Sequence, residues 1–131
     1  MFMKQWILTA VLLLSFICAH AQNYSIKVDD VIPSEAASVL VQRFTQILEA
    51  GGLKVVEGAK EINLTPTVTS RTEVSGQVAI TVDLKATAGK VEEVFPLKGV
   101  GENEADAWVR AAKQILPRSK AAQSFVEKLK K

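Results

Sequence analysis

The glycines of Gly99-Val100-Gly101 stand just ahead of a helix-forming segment, an arrangement in which backbone N–H groups and a helix dipole can gather a phosphate. Here the chain supplies its own anions. Glu102, Glu104 and Asp106 surround the expected first turn, and Asn103 followed three residues later by Asp106 makes a capping pair. An incoming phosphate would meet carboxylates where it needs free donors. Neither a complete G-x-G-x-x-G nor a G-K-[ST] loop is present. The same acids have the right oxygens for a hard cation, but the D-x-[DN]-x-[DN]-G order of a calcium loop is missing, and the cap accounts for them without a metal. The spacing predicts a structural turn and cap, with no metal and no cofactor.

Two further acidic pairs, Asp29-Asp30 and Glu92-Glu93, are adjacent in sequence. Neighbouring side chains on a strand point to opposite faces, so neither pair converges into an acid/base couple if the strands run through them. Trp108 falls in the middle of an apolar helical stripe and is expected in the core. Nucleophilic chemistry has little to work with. The chain has one cysteine, Cys18, and one histidine, His20. Both lie in a segment with the three parts of a secretory leader: Lys4, the apolar run Trp6 to Ala19, and the A-x-A site Ala19-His20-Ala21. The leader is expected to span residues 1–21 and the mature chain to start at Gln22. Lipid attachment at Cys18 is the rival processing route, but Phe16 and Ile17 are bulky where small residues are wanted.

With the leader removed, no thiol, disulfide, imidazole base or His/Cys zinc site is left. No S-x-x-K stands in for a serine–lysine pair. The expectation is a protein that is not an enzyme and has no catalytic residues. The whole chain carries 16 basic and 14 acidic side chains. Loss of Lys4 brings that balance close to neutral, which gives no field to collect nucleic acid or anionic lipid. Lys128, Lys130 and Lys131 cluster, as cations do at the end of a solvated helix. About 110 residues remain, enough for one core and too few for two, and residues 22–131 are expected to form a single α+β domain.

Several elements must position these groups. Tyr24, Ile26 and Val28 alternate with polar residues as in a half-buried strand. Ala37, Leu40, Val41, Phe44, Ile47 and Leu48 draw a stripe along a helix from about Ser34, its expected N-cap, to Ala50, stopped by Gly51-Gly52. A short strand follows at Leu53–Glu57 and a longer one from Ile62 to about Val74; Pro66 places the second at an edge or a bulge. Ser75-Gly76 marks a hairpin into the alternating run Val78 to Ala86, and Ala88-Gly89-Lys90 returns the chain through Val91–Lys98, where Pro96 again requires an edge or bulge. The glycine pair then ends the strand, and a helix runs from Glu104 to Leu116 with Ala105, Trp108, Val109, Ala112, Ile115 and Leu116 on its stripe. Pro117 stops it and Ser119 caps a third helix. The order is β-α-β-β-β-β-α-α. It predicts a two-layer α+β domain whose helices cover one face of a mostly antiparallel sheet and whose threonine-rich other face meets water or a partner.

Three segments also carry a likeness: Ile32-Pro33 with Ala36 and Val39-Leu40; Arg43-Phe44 with Gln46-Ile47-Leu48; and Gly99-Val100-Gly101 with Asn103-Glu104 and Ala107. Together they resemble a group of short exported α+β proteins of Bacteroides-type bacteria. More distantly, a strand ending in Gly-x-Gly before an alanine-rich helix is similar to small domains of flagellar assembly protein T, of Helicobacter-type surface lipoproteins and of the amino-terminal part of TolB. The resemblance implies a cell-envelope, periplasmic or secreted location and a binding or assembly role, and it transfers no catalytic residue. The leading expectation is therefore an exported, disulfide-free binding or envelope-assembly module. Its partner would be another protein or a second copy, joined at an exposed strand edge. Membrane association would arise only through lipid at Cys18. A small-ligand or carbohydrate-binding domain, with Ser and Thr hydroxyls around an apolar pocket, is the alternative. A secreted protease inhibitor is a third, since a long helix followed by antiparallel strands resembles cystatin-like folds.

Overall fold

The alternation read from Val78 onward becomes an interior strand of the sheet, with Val78, Ile80, Val82, Leu84, Ala86 and Ala88 all buried on one face. The computed structural model describes residues 23–131, so the expected leader, Cys18 and the start at Gln22 lie outside the described residues. The chain runs β1 (Asn23–Val28), α1 (Ser34–Ala50), β2 (Lys54–Val55), β3 (Lys60–Val74), β4 (Gln77–Ala88), β5 (Val91–Gly101), α2 (Glu104–Ala112) and α3 (Lys120–Lys130). This is the expected α+β order. The sheet order is β2-β1-β3-β4-β5.

The sheet is mixed. β1 lies parallel to both of its neighbours, while β3, β4 and β5 form an antiparallel meander. The cause is the segment after β2, which passes the start of β1: the Val56 N–H donates to the Tyr24 carbonyl at 2.7 Å and the Ser25 hydroxyl to the Ala59 carbonyl at 2.8 Å. The chain therefore reaches the far side of β1 still running in the same direction. β2 is shorter than the expected Leu53–Glu57, because Leu53 is buried and Val56 is already part of that crossing.

On α1 the buried row is Ala36, Leu40, Phe44, Ile47 and Leu48; the predicted stripe is turned slightly, so that Ala36 faces inward and Val41 lies exposed on the flank. Pro33 occupies the N-cap position with no side-chain bond, so Ser34 is the first helical residue rather than the cap. At the other end Gly52, with φ of +84°, makes the left-handed stop. Phe44, Phe95 and Phe125 pack edge to face with centroids 5.1, 6.3 and 6.2 Å apart, joining α1, β5 and α3 at one point.

The largest departure from the sequence expectation is at the glycine pair. β5 does not end at Lys98 but continues through Gly101. Its inward positions shrink along the strand from Phe95 and Leu97 to Gly99 and Gly101, and α2 lies directly on the two glycines. A Cβ at Gly99 would collide with the Ala107 carbonyl oxygen and sit 2.7 Å from the Ala111 nitrogen, and one at Gly101 would sit 2.6 Å from the Ala107 nitrogen. These glycines permit close helix–strand approach. On α2 the buried side chains are accordingly Ala107, Trp108, Ala111 and Ala112, while Ala105 is exposed. The helix stops at Ala112, short of the expected Leu116, because its end tightens into three-residue turns: Gln114 N–H to the Ala111 carbonyl at 3.0 Å and Ile115 N–H to the Ala112 carbonyl at 3.2 Å. This change buries Ile115 and leaves Leu116 exposed.

Candidate functional site

The N-terminus of α2 is closed by its own side chains. The Asp106 N–H donates to Asn103 Oδ1 at 2.8 Å, the Glu102 N–H donates to Asp106 Oδ2 at 3.1 Å, and Arg110 reaches the same carboxylate at 3.3 Å. The Glu102 N–H bond, with Arg110 beside it, holds the Asp106 carboxyl below the usual range. The predicted cap is therefore formed, and it occupies two of the donors a phosphate would use, the N–H groups of Glu102 and Asp106. Ser119 caps α3 in the same way, accepting from the Ala122 N–H at 3.2 Å.

The adjacent acids do not converge. Glu92 pairs with Lys85 at 2.8 Å on the outer face, whereas Glu93 points inward to Lys128 at 2.8 Å and accepts from the Ser124 hydroxyl at 2.9 Å. Asp29 lies just past β1 and accepts from the Val31 N–H at 3.1 Å, a local turn rather than a strand pair. Among the described residues no cluster of three His, Cys, Asp or Glu side chains is placed to hold a metal ion.

Arg71, Glu93 and Asp106 are all shifted toward their charged forms. The hydrogen bond from Arg71 to Glu104 at 2.6 Å, with Glu73 at 3.0 Å, raises the guanidinium further, and the Lys128 hydrogen bond lowers Glu93. A proton donor or acceptor working near neutrality needs the opposite shift. Around Arg71 the surface dips into an open depression of about 350 Å³, lined by Glu73, Gln77, Glu102, Asn103 and Glu104 among others. Tyr24, Phe44, Phe95, Trp108 and Phe125 are all buried, so the described part of the chain offers no exposed aromatic face on which a sugar ring would stack.

Comparison with protein-family models, with curated proteins and with solved structures finds no match. The geometry of the chain itself has to carry the functional reading, and the feature that remains is its sheet edges.

The edges are treated differently. On β5, Pro96 has no donor to offer, as expected for an edge strand. The outward Lys98 N–H is taken by Gln114 Oε1 at 2.8 Å, and the Glu92 carbonyl accepts from Lys128 Nζ at 3.0 Å. β2 is too short to start a ladder. β3 is the contrast. β1 accompanies it only as far as Val28 opposite Leu64, where the Asp29 N–H donates to the Leu64 carbonyl at 3.1 Å. From Thr65 to Val74 the strand continues beside β4, and among the described residues no strand lies on its other side. Pro66 falls where β1 departs and pairs in register with Leu84, so the edge reading of that proline applies; the bulge lies further on, between Val68 and Ser70. The hairpin closes through Ser75 and Gly76 with φ of +53° and +78°, a two-residue turn whose twist suits the strands. Along this arm Thr67, Val68, Thr69, Ser70, Arg71, Thr72 and Glu73 are exposed.

Proposed function

We propose that this chain is an exported, non-enzymatic binding or envelope-assembly module that recruits its partner by strand addition along the free edge of β3 from Thr65 to Val74. The observation that carries the proposal is the contrast between edges: β5 is stopped by a proline, by Gln114 from the turn after α2 and by Lys128 from α3, while the outer half of β3 keeps its backbone groups open among the described residues. An edge of this kind offers a partner main-chain hydrogen bonds for affinity, with the side chains on either face selecting which sequence fits. The leader-like N-terminus supports export to the periplasm or beyond, and no described helix is long and apolar enough to cross a membrane.

Arg71→Pro tests the proposal, since it removes one outward N–H at a position where a strand edge tolerates proline. Arg71→Ala is the control that loses the side chain but keeps the donor. Immobilised exported protein is expected to retain a partner, or to self-associate, with the wild-type chain, more weakly with Arg71→Ala, and not with Arg71→Pro. Equal behaviour of Arg71→Pro and Arg71→Ala, or a wild-type chain that stays monomeric and retains nothing from envelope extracts, overturns it. Mass spectrometry of the exported protein tests the location separately, with an N-terminus at Gln22 expected; a chain that keeps residues 1–21 or carries lipid on Cys18 overturns that part.

A further inference from the structure

We infer that the occupant of the β3 edge is a second copy of this chain, paired antiparallel about Thr72. The inference rests on the strand-addition function and adds to it a partner and a register.

Backbone alternation decides which residues pair. The Lys98 N–H points away from β4, so Thr81 opposite it is not bonded to β5 and turns its backbone groups toward β3. Thr81 faces Ser70, and therefore Ser70 and Thr72 are bonded inward to β4 while Arg71 and Glu73 present their N–H and C=O groups to the open side. A second antiparallel strand must place its own outward residues opposite these. Centring the pair on Arg71 sets two guanidinium groups against each other, and centring it on Glu73 does the same with two carboxylates. Centring it on Thr72 sets Arg71 opposite the second copy's Glu73, and Glu73 opposite its Arg71. Opposite charges across a pair favour that register and like charges oppose the other two.

The pairing segment is bounded by the bulge between Val68 and Ser70 on one side and by the hairpin turn on the other, so neither Pro66 nor the bulge falls within it. Arg71 already lies between Glu73 and Glu104 of its own chain, on the sheet face that carries Ile80 and α2, so its guanidinium is held within reach of the added strand. With β5 blocked, the open edge meets its own kind only through a two-fold axis. The product is a closed dimer with a continuous sheet rather than a growing fibre.

The test uses the full chain with Cys18→Ser, which removes its single cysteine. Thr72→Cys is then introduced, or in a control Lys90→Cys at the exposed turn between β4 and β5. A residue on the two-fold axis in a non-hydrogen-bonded pair lies about 4.5 Å from its mate, Cα to Cα, which suits a disulfide. Thr72→Cys is expected to form a disulfide-linked dimer at least about tenfold faster than Lys90→Cys under mild oxidation. Glu73→Arg added to Thr72→Cys is expected to slow that linkage, and Arg71→Glu with Glu73→Arg to restore most of it, circular dichroism being used to check that each variant is folded. Equal rates for Thr72→Cys and Lys90→Cys overturn the second copy as occupant, and failure of the folded charge swap to restore linkage overturns the register. A monomeric wild-type chain that still retains a different protein through the Arg71 N–H also overturns the second copy while leaving the strand-addition function standing; one that retains nothing removes both.

Discussion

Replacing Gly99 by alanine adds one methyl group, and the structure sets the sign of the effect against the ordinary trend. A glycine-to-alanine change in a conformation alanine can adopt is stabilising by about 0.4–1 kcal/mol, because it restricts the unfolded chain. Gly99 lies in extended β5 outside the left-handed region, so that gain is available here too. It is overwhelmed by contact with the backbone of α2: the added Cβ meets the Ala107 carbonyl oxygen, the Ala107 carbonyl carbon at 3.0 Å and the Ala111 nitrogen at 2.7 Å. A flexible side chain could turn away, but a helix backbone held by Trp108 and by its own hydrogen bonds must move as a body. Overpacking costs about 1–3 kcal/mol, and a backbone obstacle puts this case near 3. In a domain of this size the melting temperature should fall by about 12 °C. Urea unfolding gives the free energy directly, with an unchanged slope showing that the unfolded state is unaltered. Gly52→Ala separates packing from backbone strain: its φ is +84° with nothing within 4 Å, so only the left-handed cost of about 1 kcal/mol applies. If Gly99→Ala melts within about 2 °C of wild type, or above Gly52→Ala, the helix does not rest on the strand backbone and the account of the glycine pair is wrong.

Asn103→Ala should cost about 1 kcal/mol through loss of the bond to the Asp106 N–H, and Asn103→Asp should recover most of it; equal melting of all three chains would show that the cap is idle. Trp108→Ala should cost about 3–5 kcal/mol, since the ring is buried in the core; a loss under 1 kcal/mol in urea would place the ring outside the core. Glu93 supplies the pH dependence. Its folded pKa lies below the unfolded value, chiefly through Lys128, so its contribution is complete above the usual glutamate range near 4.3 and is lost as pH falls through the lowered folded value. Glu93→Gln should therefore be less stable than wild type at pH 7, with the gap closing below about pH 4. A gap that persists unchanged at pH 3 would remove the carboxylate as its source.

The sequence made most of the elements legible because their signals are local. Alternation gave β4, helical spacing gave α1 and α3, and the Asn103/Asp106 pair and the serine after Pro117, Ser119, gave the caps. What it left open depends on distant partners. Nothing in Tyr24 to Val28 states that both neighbours run parallel to it, since that follows from the crossing at Val56 and Ala59. The glycine pair was readable either as a strand stop or as a place of close approach, and choosing between them needed the helix face. Ala107 and Ala111, four residues apart, were the available signal: small residues on a helix opposite glycines in a strand mark two backbones in contact. The stripe that begins at Ala105 follows the same spacing with a different phase, and spacing alone cannot rank the two.

The same difficulty applies to the free edge, whose significance rests on a comparison between strands far apart in the sequence. Pro66 and Pro96 look alike as edge markers, yet Pro96 belongs to an edge where Gln114 and Lys128 take the backbone groups of Lys98 and Glu92, and Pro66 only marks where β1 leaves an otherwise open strand. Natural proteins protect edges because an unpaired ladder invites aggregation. A chain that uses Gln114 and Lys128 to close β5 and leaves β3 open beyond Pro66 makes indiscriminate pairing possible on one side only. There the residues that present their backbone groups to the open side include the exposed Arg71 and Glu73, and a strand that places like charges against them is disfavoured. On the proposed function, these charges are what make the open edge selective: they leave the hydrogen-bonding groups accessible while rejecting most registers. Reversing Glu73 alone should therefore weaken pairing without closing the edge, whereas proline at Arg71 should close it whatever the charge.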